Sequence, residues 1–183
     1  MLRLKAGRDA CLNDLMDRWQ KPVLSFILRY VGNRSDALDL AQETFVRVYR
    51  SRGRYSPKGK FSTWLFTIAR NLCLNHARWK SRHPSVPIIT DDENGSEWNP
   101  ALDLADPADT PDEAAEGDER ARLVRDAVAQ LPEKLKTPLL LFHYQDLPYQ
   151  EIAKILGCSP KAVETRLYRA RKEMADKLKK AEI

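Results

Sequence analysis

Residues Tyr149 to Lys172 read YQEIAKILGCSPKAVETRLYRARK, and their spacing is the clearest indication of the fold. Counting Tyr149 as the first residue, the small Ala153 is fifth, Gly157 is ninth and the apolar Val163 is fifteenth. A small fifth residue lets two helices cross closely, and glycine permits the left-handed backbone of a tight turn. The fifteenth residue packs back onto the first helix. This spacing predicts a helix-turn-helix.

The second helix of this motif has two different faces. Ser159 is its predicted N-cap, and Pro160 fits its first turn. Apolar side chains recur on the inward face, at Val163, Leu167, Ala170 and Met174. The opposite face is polar and mostly basic, which suits the major groove of DNA. The predicted DNA contacts on or beside it are Lys161, Glu164, Thr165, Arg166, Tyr168, Arg169, Arg171 and Lys172. A plain helical hairpin with a solvated outer helix explains this spacing less well.

Charge divides the 183-residue chain into three parts. Residues 1–83 carry a balance of +11, residues 84–119 a balance of −12 with no lysine or arginine, and residues 120–183 a balance of +6. Five of the eleven prolines fall in the acidic part, where like charges also repel one another. We therefore expect an acidic, flexible tether between two basic helical domains, and a polyanionic partner.

Helical spacing of apolar residues continues through the first 82 residues, with no strand pattern. One helix is predicted around Leu12–Trp19, with a start near Leu2, and a second from Pro22 to Val31. Ser35 or Asp36 is predicted to cap a third helix. A fourth is expected from about Ser62–Trp64 to Lys80. Together these helices indicate a four-helix bundle.

Two surfaces of this first domain are candidate binding sites. Aromatic side chains interleaved with cations around Tyr55 and along the fourth helix suit single-stranded nucleic acid, because bases stack on rings while phosphates meet the charges. Packing against the bundle core is the alternative for Phe61 and Trp64 and is favoured for Trp64, whereas Tyr55 lies in a Gly/Pro loop that is harder to bury. The third helix carries an acidic and amide face, at Asp36, Asp39, Gln42 and Glu43. Spacing alone favours helix-dipole complementation there over protein docking.

Ordered motifs in both domains resemble those of one family, the extracytoplasmic-function sigma factors of bacterial RNA polymerase. The D-x-x-Q-E-x-F signature corresponds to Asp39–Phe45, and T-W-L-x-x-I-A-x-N corresponds to Thr63–Asn71. The second domain, LPEKLKTPLLLFHYQDLPYQEIAKILGCSPKAVETRLYRARKEM, resembles region 4 of the family. Lys136 stands where arginine is frequent, and Pro148 stands where serine is usual. Glu164 lies where the family often has a cation.

The resemblance implies an all-α fold of two domains: region 2 in residues 1–83 and region 4 in residues 119–183, joined by the acidic linker 84–118. The acidic face of the third helix then grips the clamp helices of the polymerase β′ subunit, and region 4 meets the β flap. The Tyr55–Lys60 loop and Asn71 capture a base flipped from the −10 element. The implied −10 contacts are Tyr55, Lys58, Lys60, Arg70, Asn71, Arg78 and Lys80.

The helix-turn-helix then reads the −35 element, where Glu164 is repelled by phosphate but can accept a hydrogen bond from cytosine N4. The linker is implied to thread the RNA exit path of the polymerase. An anti-sigma factor, often membrane-bound, is the implied regulator.

Two other classes of protein account for the sequence less well. A stand-alone helix-turn-helix regulator leaves the motifs of the first domain without a purpose. A metal-dependent nuclease needs clustered carboxylates, which the first domain lacks. Three scattered cysteines at positions 11, 73 and 158 indicate neither a disulfide framework nor a zinc site. We therefore expect no enzymatic activity, no cofactor and no metal. With no signal-peptide pattern and no apolar run of about 20 residues, we expect a cytoplasmic chain without direct membrane insertion.

Overall fold

The structure is a computed structural model that describes residues 1–83 and 111–181, with the helix backbone alone for 111–119. Every regular element in those residues is helical, which confirms the all-α fold. Residues 84–110, most of the predicted linker, lie outside the described part. The helices are α1 (Leu2–Lys5), α2 (Cys11–Val31), α3 (Arg34–Arg50), a 3₁₀ turn (Arg52–Arg54), α4 (Phe61–Arg82), α5 (Pro111–Ala129), α6 (Glu133–His143), α7 (Tyr149–Leu156) and α8 (Pro160–Ala181).

The two helices predicted on either side of Pro22 are one helix, so that prediction was wrong. Pro22 lies inside α2, where its missing N–H removes one intrahelical hydrogen bond. Val23 and Phe26 beyond the proline are fully buried, and Trp19 before it packs against the same core. Because one apolar stripe spans the proline, burial outweighs the lost hydrogen bond. The predicted four-helix bundle is therefore the three long helices α2–α4 with the short α1.

Helix α3 begins earlier than its predicted caps. Its N-cap is Asn33, whose side-chain oxygen accepts a hydrogen bond from the Asp36 backbone N–H at 2.9 Å. Gly32 ends α2 with a left-handed φ of 74° and leaves Asn33 in the extended conformation that an N-cap requires. Ser35 and Asp36, the predicted caps, lie inside the helix.

The turn between α7 and α8 has the geometry that its spacing predicts. Gly157 is left-handed, with φ 64° and ψ 41°. The Cys158 N–H donates to the Ala153 carbonyl at 3.0 Å, which closes the end of α7. Val163, at the fifteenth position, is fully buried. The helix-turn-helix is therefore confirmed in its local geometry.

The start and inward face of α8 also match their predictions. The Ser159 hydroxyl accepts a hydrogen bond from the Ala162 N–H at 3.2 Å, and Pro160 is the first helical residue. The inward residues are buried or half-buried: Val163, Leu167, Ala170 and Met174.

Helix α5 starts at Pro111, eight residues before the predicted boundary at 119. The predicted linker 84–118 therefore runs eight residues into a helix. Proline has no N–H to lose at the first helical position, so Pro111 suits a helix start although it argues against a helix interior.

The two domains, residues 1–83 and residues 111–181, bury their apolar side chains in one continuous core. Helix α2 packs against α5 and α6, and α4 packs against α7. Phe26 and Phe66 of the first domain belong to the same cluster as Leu140 and Ile152 of the second. The helix-turn-helix is therefore seated directly on α4 through its first helix, and α8 lies on the outside of that contact.

Candidate nucleic-acid interface

The outer face of α8 is open along its first three turns. The side chains predicted to face the major groove are all exposed: Lys161, Glu164, Thr165, Tyr168, Arg169 and Lys172. Tyr168 is 69% exposed, which is unusual for an aromatic residue in a folded domain. The elements that pack most extensively on α8 are α5, α6 and α7, all of the second domain.

Glu164 is not an isolated negative charge on this face. Its carboxylate lies 2.8 Å from the Lys161 ammonium, one helical turn earlier. The Thr165 hydroxyl donates to the Lys161 carbonyl at 3.0 Å. Because both partners of the Lys161–Glu164 pair are exposed, the attraction between them is weak and screened by salt. The pair nevertheless lowers the positive charge that the start of α8 presents.

Arg166 and Arg171 lie at the sides of the face, where contacts within the domain hold them. Arg166 is half-buried, and its guanidinium lies 3.7 Å from the Cys158 sulfur in the turn. The Arg171 guanidinium lies 5.6 Å from the centre of the Phe142 ring. This placement matches the predicted flanking positions, from which phosphates are within reach.

In the first domain, the predicted −10 residues fall into three groups: four exposed side chains, the ion-paired Arg70 and Lys80, and the buried Tyr55. Asn71 and Arg78 are exposed and lie two turns apart on one face of α4. Lys58 and Lys60 are exposed in the loop that leads into the same helix. These four side chains present cations and a carboxamide to solvent, two of them on α4 and two in the loop before it.

Arg70 and Lys80 lie away from that face and have partners elsewhere. The Arg70 guanidinium lies 3.4 Å from the Glu133 carboxylate of the second domain, and its Nε has no hydrogen-bond partner within the described residues. The Lys80 ammonium lies 3.6 Å from the Asp36 carboxylate. Arg70 is largely covered by the second domain, whereas Lys80 is exposed and its ion pair lies at the surface.

Tyr55 is buried, contrary to the expectation that its loop would leave it accessible. It is 7% exposed, and its ring centre lies 5.2 Å from that of Trp64 and 6.2 Å from that of Phe61. Its carbonyl accepts a hydrogen bond from the Lys5 ammonium at 2.9 Å. Trp64 is half-buried against the core, as predicted, and Phe61 is half-buried there as well. The aromatic residues therefore form a cluster that fixes the loop rather than an open stacking surface.

The acidic face of α3 is partly engaged within the domain. Asp39 and Gln42 are exposed, whereas Glu43 forms an ion pair with Arg47 at 2.7 Å. The Asp36 carboxylate also lies 3.4 Å from the His76 ring nitrogen.

Two apolar residues on α3 are exposed that the sequence did not assign to a binding surface. Leu38 and Val46 are each 40% exposed and lie eight residues apart, with Gln42 between them on the same stripe. Each lies four residues from Gln42, and this spacing was the sequence signal that could have placed them on the same face. Apolar side chains exposed on an acidic helical face are typical of a protein-docking surface.

The helix-turn-helix contacts α4 through one buried polar pair. The Thr63 hydroxyl of α4 donates a hydrogen bond to the Glu151 carboxylate of α7, and Glu151 is 7% exposed. Lys154 lies 3.1 Å from the same carboxylate. The hydrogen bond from Thr63, together with the Lys154 cation, holds the pKa of Glu151 below its usual value. The pair thus stabilises the ionised glutamate at the domain contact.

The rest of the domain contact is also partly polar. The Arg29 guanidinium lies 4.1 Å from the centre of the Tyr144 ring, and the Gln145 side chain donates to the Pro22 carbonyl at 3.3 Å. A cavity of about 350 Å³ opens beside it, lined by Tyr30, Val31, His76, Ala77, Lys80, Ser81, Glu133 and Lys136. Burial lowers the pKa of Lys136 there and raises that of Tyr30.

Metal and membrane sites can be assessed only for the part of the chain that the structure describes. In that part, no group of three or more His, Cys, Asp or Glu side chains is placed to hold a metal ion. None of the described helices combines the length and the apolar character needed to cross a membrane.

Two family models match the chain, one in each domain. The model of sigma-70 region 2 matches residues 15–83, and the model of sigma-70 region 4 matches residues 121–174. The second match contains the whole helix-turn-helix, and the first contains the acidic face of α3 and all of α4.

Curated relatives match over nearly the full length. The ECF RNA polymerase sigma-E factor of Haemophilus influenzae is 34% identical over 176 residues, which cover 96% of this chain and 92% of that protein. The RNA polymerase sigma-H factor of Pseudomonas aeruginosa is 34% identical over 177 residues, covering 96% and 89%. Among solved structures, the sigma factor RpoE of Bartonella quintana, in complex with the anti-sigma factor NepR, has a similar fold. Its TM-score is 0.66 and its identity 18%, and the match covers 91% of this chain and 96% of that one.

Proposed function

The chain belongs to the extracytoplasmic-function group of the sigma-70 family, and we propose that its two domains read the two elements of a promoter. As a sigma factor it binds core RNA polymerase and directs promoter-specific transcription initiation. This assignment of one promoter element to each domain rests on one observation. Each domain presents its own polar, basic face, one on α4 and one on α8. Residues 1–83 are assigned to the −10 element and residues 119–183 to the −35 element.

In the first domain we assign −10 contacts to the exposed face of α4 and the loop before it. Asn71 supplies a carboxamide for base edges, while Lys58, Lys60 and Arg78 supply cations for phosphates. Tyr55 acts by holding that loop in place through its aromatic neighbours. Of the two remaining candidates, Arg70 reaches DNA only after it leaves Glu133, whereas the exposed Lys80 can exchange Asp36 for a phosphate.

In the second domain, the exposed face of α8 enters the major groove of the −35 element. Tyr168 and Arg169 lie near the centre of this face, and Lys172 lies at its end. Arg166 and Arg171 contact phosphates from the sides. Glu164 is the residue that distinguishes this face, because a carboxylate accepts a hydrogen bond from cytosine but repels phosphate.

Core polymerase docks on α3 through its acidic stripe. Asp39, Gln42 and Glu43 provide the polar contacts, with Asp36 at the edge. Leu38 and Val46 provide apolar area beside them. We assign this surface to the β′ clamp helices and the second domain to the β flap, in keeping with the family. The polymerase supplies the chemistry, so this chain has no catalytic activity of its own.

The two domains must separate when both promoter elements are bound. Elements centred near −35 and −10 are about 25 base pairs apart, which is about 85 Å along the helix axis at 3.4 Å per pair. A compact chain of this length is only about 40 Å across. The 27 residues between the described segments reach at most about 90 Å when extended, which is sufficient. Separation also releases Arg70 from Glu133.

The closed arrangement also suggests how the chain is regulated. A chain whose domains are already together offers both polymerase-facing surfaces to one partner, such as an anti-sigma factor. The similar fold of the NepR-bound sigma factor supports this proposal. We place the working chain in the cytoplasm, where polymerase and promoter DNA are, held at the inner membrane when such a partner is membrane-bound.

Run-off transcription with purified core polymerase on a pool of genomic promoters tests the proposed function. We expect transcripts only when the chain is added, from promoters that share two short elements about 25 base pairs apart. Asp39→Ala with Gln42→Ala should remove both the transcripts and co-purification with polymerase, while leaving binding of α8 to duplex DNA intact. A chain that binds duplex DNA but gives no transcripts and never co-purifies with polymerase would instead be a stand-alone regulator.

A further inference from the structure

One large exposed side chain has no role in the surfaces assigned above. Trp79, near the end of α4, is 55% exposed and lies outside the shared core. The other large exposed apolar residues are on α1, on the docking face of α3, under Arg29, or on the DNA-reading face of α8: Leu2, Leu38, Val46, Tyr144 and Tyr168. A single exposed apolar side chain is not by itself evidence of a binding surface, so the surroundings of Trp79 decide its role.

The indole is held in a defined orientation. Its ring stacks on the His83 ring, with 5.0 Å between ring centres and 23° between the planes. A His83 ring nitrogen lies 3.0 Å from the Trp79 carbonyl oxygen, which fixes the imidazole in turn. One face of Trp79 is therefore covered, while much of the ring remains accessible. An aromatic ring fixed in this way loses little conformational entropy when a flat partner stacks on it.

The charge around Trp79 favours a polyanion. Arg78 and Arg82 flank it on successive turns and are both exposed, and the Arg82 Nε donates to the Arg78 carbonyl at 3.2 Å. No carboxylate among the described residues forms an ion pair with either guanidinium. A stacking ring between unpaired cations is the combination used to bind exposed bases together with their phosphates.

The position along α4 links this patch to the −10 surface. Asn71, Asn75, Arg78 and Arg82 are exposed and recur at spacings of three and four residues, so they form one stripe with Trp79 at its edge. Trp79 lies eight residues beyond Asn71, a rise of about 12 Å along the helix. This equals three to four base pairs of duplex at about 3.4 Å each. In sequence, this end of α4 precedes the domain assigned to the −35 element, and on that ground we assign it to the upstream side of the −10 element.

We propose that Trp79, backed by His83 and flanked by Arg78 and Arg82, stacks on an exposed promoter base at the upstream edge of the opened DNA. The inference rests on the proposed function, because it assigns a further contact to the −10 surface. The partner is a base with at least one free face, either unpaired or at the end of the upstream duplex, with its adjoining phosphates.

The test uses holoenzyme assembled from core polymerase and the full chain, with a promoter probe that is duplex upstream of the −10 element and single-stranded within it. Trp79→Ala should weaken binding of this probe about 10-fold, within the range that alanine substitution of a stacking residue gives. Trp79→Phe should retain most of the affinity. The slope of log affinity against log salt should stay unchanged in Trp79→Ala. In Arg82→Ala the slope should become shallower by about one, because one phosphate contact is lost. Lys21→Ala, an exposed cation on α2, is the matched control and should change neither quantity.

The possible results distinguish failure of the proposed function from failure of the inference about Trp79. If the wild-type holoenzyme gives no run-off transcripts, the proposed function fails first. If it is active and Trp79→Ala binds the probe within twofold of wild type, the inference about Trp79 is wrong and the proposed function stands. If Trp79→Ala weakens binding of core polymerase without DNA, the patch is a protein-docking surface and the inference is also overturned. An unchanged thermal midpoint of Trp79→Ala excludes unfolding as the cause.

Discussion

The hydroxyl of Thr63 on α4 donates a hydrogen bond to the buried carboxylate of Glu151 on α7, 88 residues later in the chain. This hydrogen bond joins α4 of the first domain to α7, the first helix of the helix-turn-helix. An ionised carboxylate that is 7% exposed depends on such donors, because burial without them is unfavourable. The pair therefore links the ionisation of Glu151 to the packing of the two domains.

Thr63→Val should weaken the domain contact. The substitution keeps the shape of the side chain but leaves the Glu151 carboxylate with one donor fewer, and an unsatisfied buried group costs about 1–3 kcal/mol. We expect a lower free energy of unfolding in urea and lower energy transfer between dyes placed on the two domains. Thr67→Val is the matched control, because the Thr67 hydroxyl donates only to the Thr63 carbonyl of its own helix. Equal losses in the two variants would show that the interdomain bond contributes nothing.

Acid should weaken the same contact, and Glu151 should account for part of the effect. The pKa of Glu151 is lowered in the folded chain, first by the Thr63 hydrogen bond and then by Lys154. Its contribution is therefore complete above the unfolded pKa of about 4.3 and is lost as pH falls through the lower folded pKa. In urea unfolding followed from pH 6 downward, Glu151→Gln should lose less stability below about pH 4 than wild type. Parallel pH profiles would contradict this assignment.

Gly157→Ala should destabilise the helix-turn-helix without any steric clash. The residue has φ +64°, and a methyl group at its Cβ position would meet nothing within 4 Å. The left-handed backbone alone should therefore cost about 1–2 kcal/mol. Gly53→Ala is the control, since Gly53 also has open space around it but is not left-handed. Urea unfolding should show the loss only in Gly157→Ala, and equal stability of the two variants would contradict it.

The features predicted correctly from sequence are those that local chemistry determines. Gly157 and Ser159 act within one turn of the residues they contact, and Val163 packs on the helix directly before it, so their spacing is sufficient to place them. Pro22 was misjudged because the rule that proline ends helices is also local. The apolar stripe that overrides this rule becomes visible only when the partner helices are in place.

The features missed are those that depend on distant parts of the chain. Tyr55 was expected to stay accessible because its own loop is rich in glycine, proline and cations. Its burial comes from Phe61 and Trp64 on the following helix, which close over the ring. The Thr63–Glu151 contact left no sequence signal at all, since a threonine and a glutamate 88 residues apart have no periodicity in common. The predicted −10 residues do not all share one surface for the same reason. Arg70 and Lys80 form ion pairs with acidic residues on other helices, which the sequence pattern of α4 does not show.

Cys73 should be the one thiol of three that resists modification in the folded chain. It is fully buried, and burial raises its pKa to about 12, so little thiolate forms at neutral pH. Cys11 and Cys158 are half-buried free thiols. Titration with a disulfide reagent at neutral pH should detect two thiols quickly, and the third only in denaturant. Cys73→Ala should leave the fast count at two, and a fall to one would identify another cysteine as the protected one.

Glu164 should tune how strongly and how selectively α8 binds DNA. Glu164→Gln removes the negative charge and releases Lys161 from its 2.8 Å ion pair, so one more cation becomes available to phosphate. We expect tighter binding to unrelated duplexes and a salt slope steeper by about one, measured by fluorescence anisotropy across salt concentrations. If Glu164 accepts a hydrogen bond from cytosine, its loss should also reduce discrimination at one base pair of the −35 element by about 1–3 kcal/mol. Lys161→Ala should act in the opposite direction on the unrelated duplexes. An unchanged salt slope in Glu164→Gln would show that the Lys161–Glu164 pair does not control the charge presented to DNA.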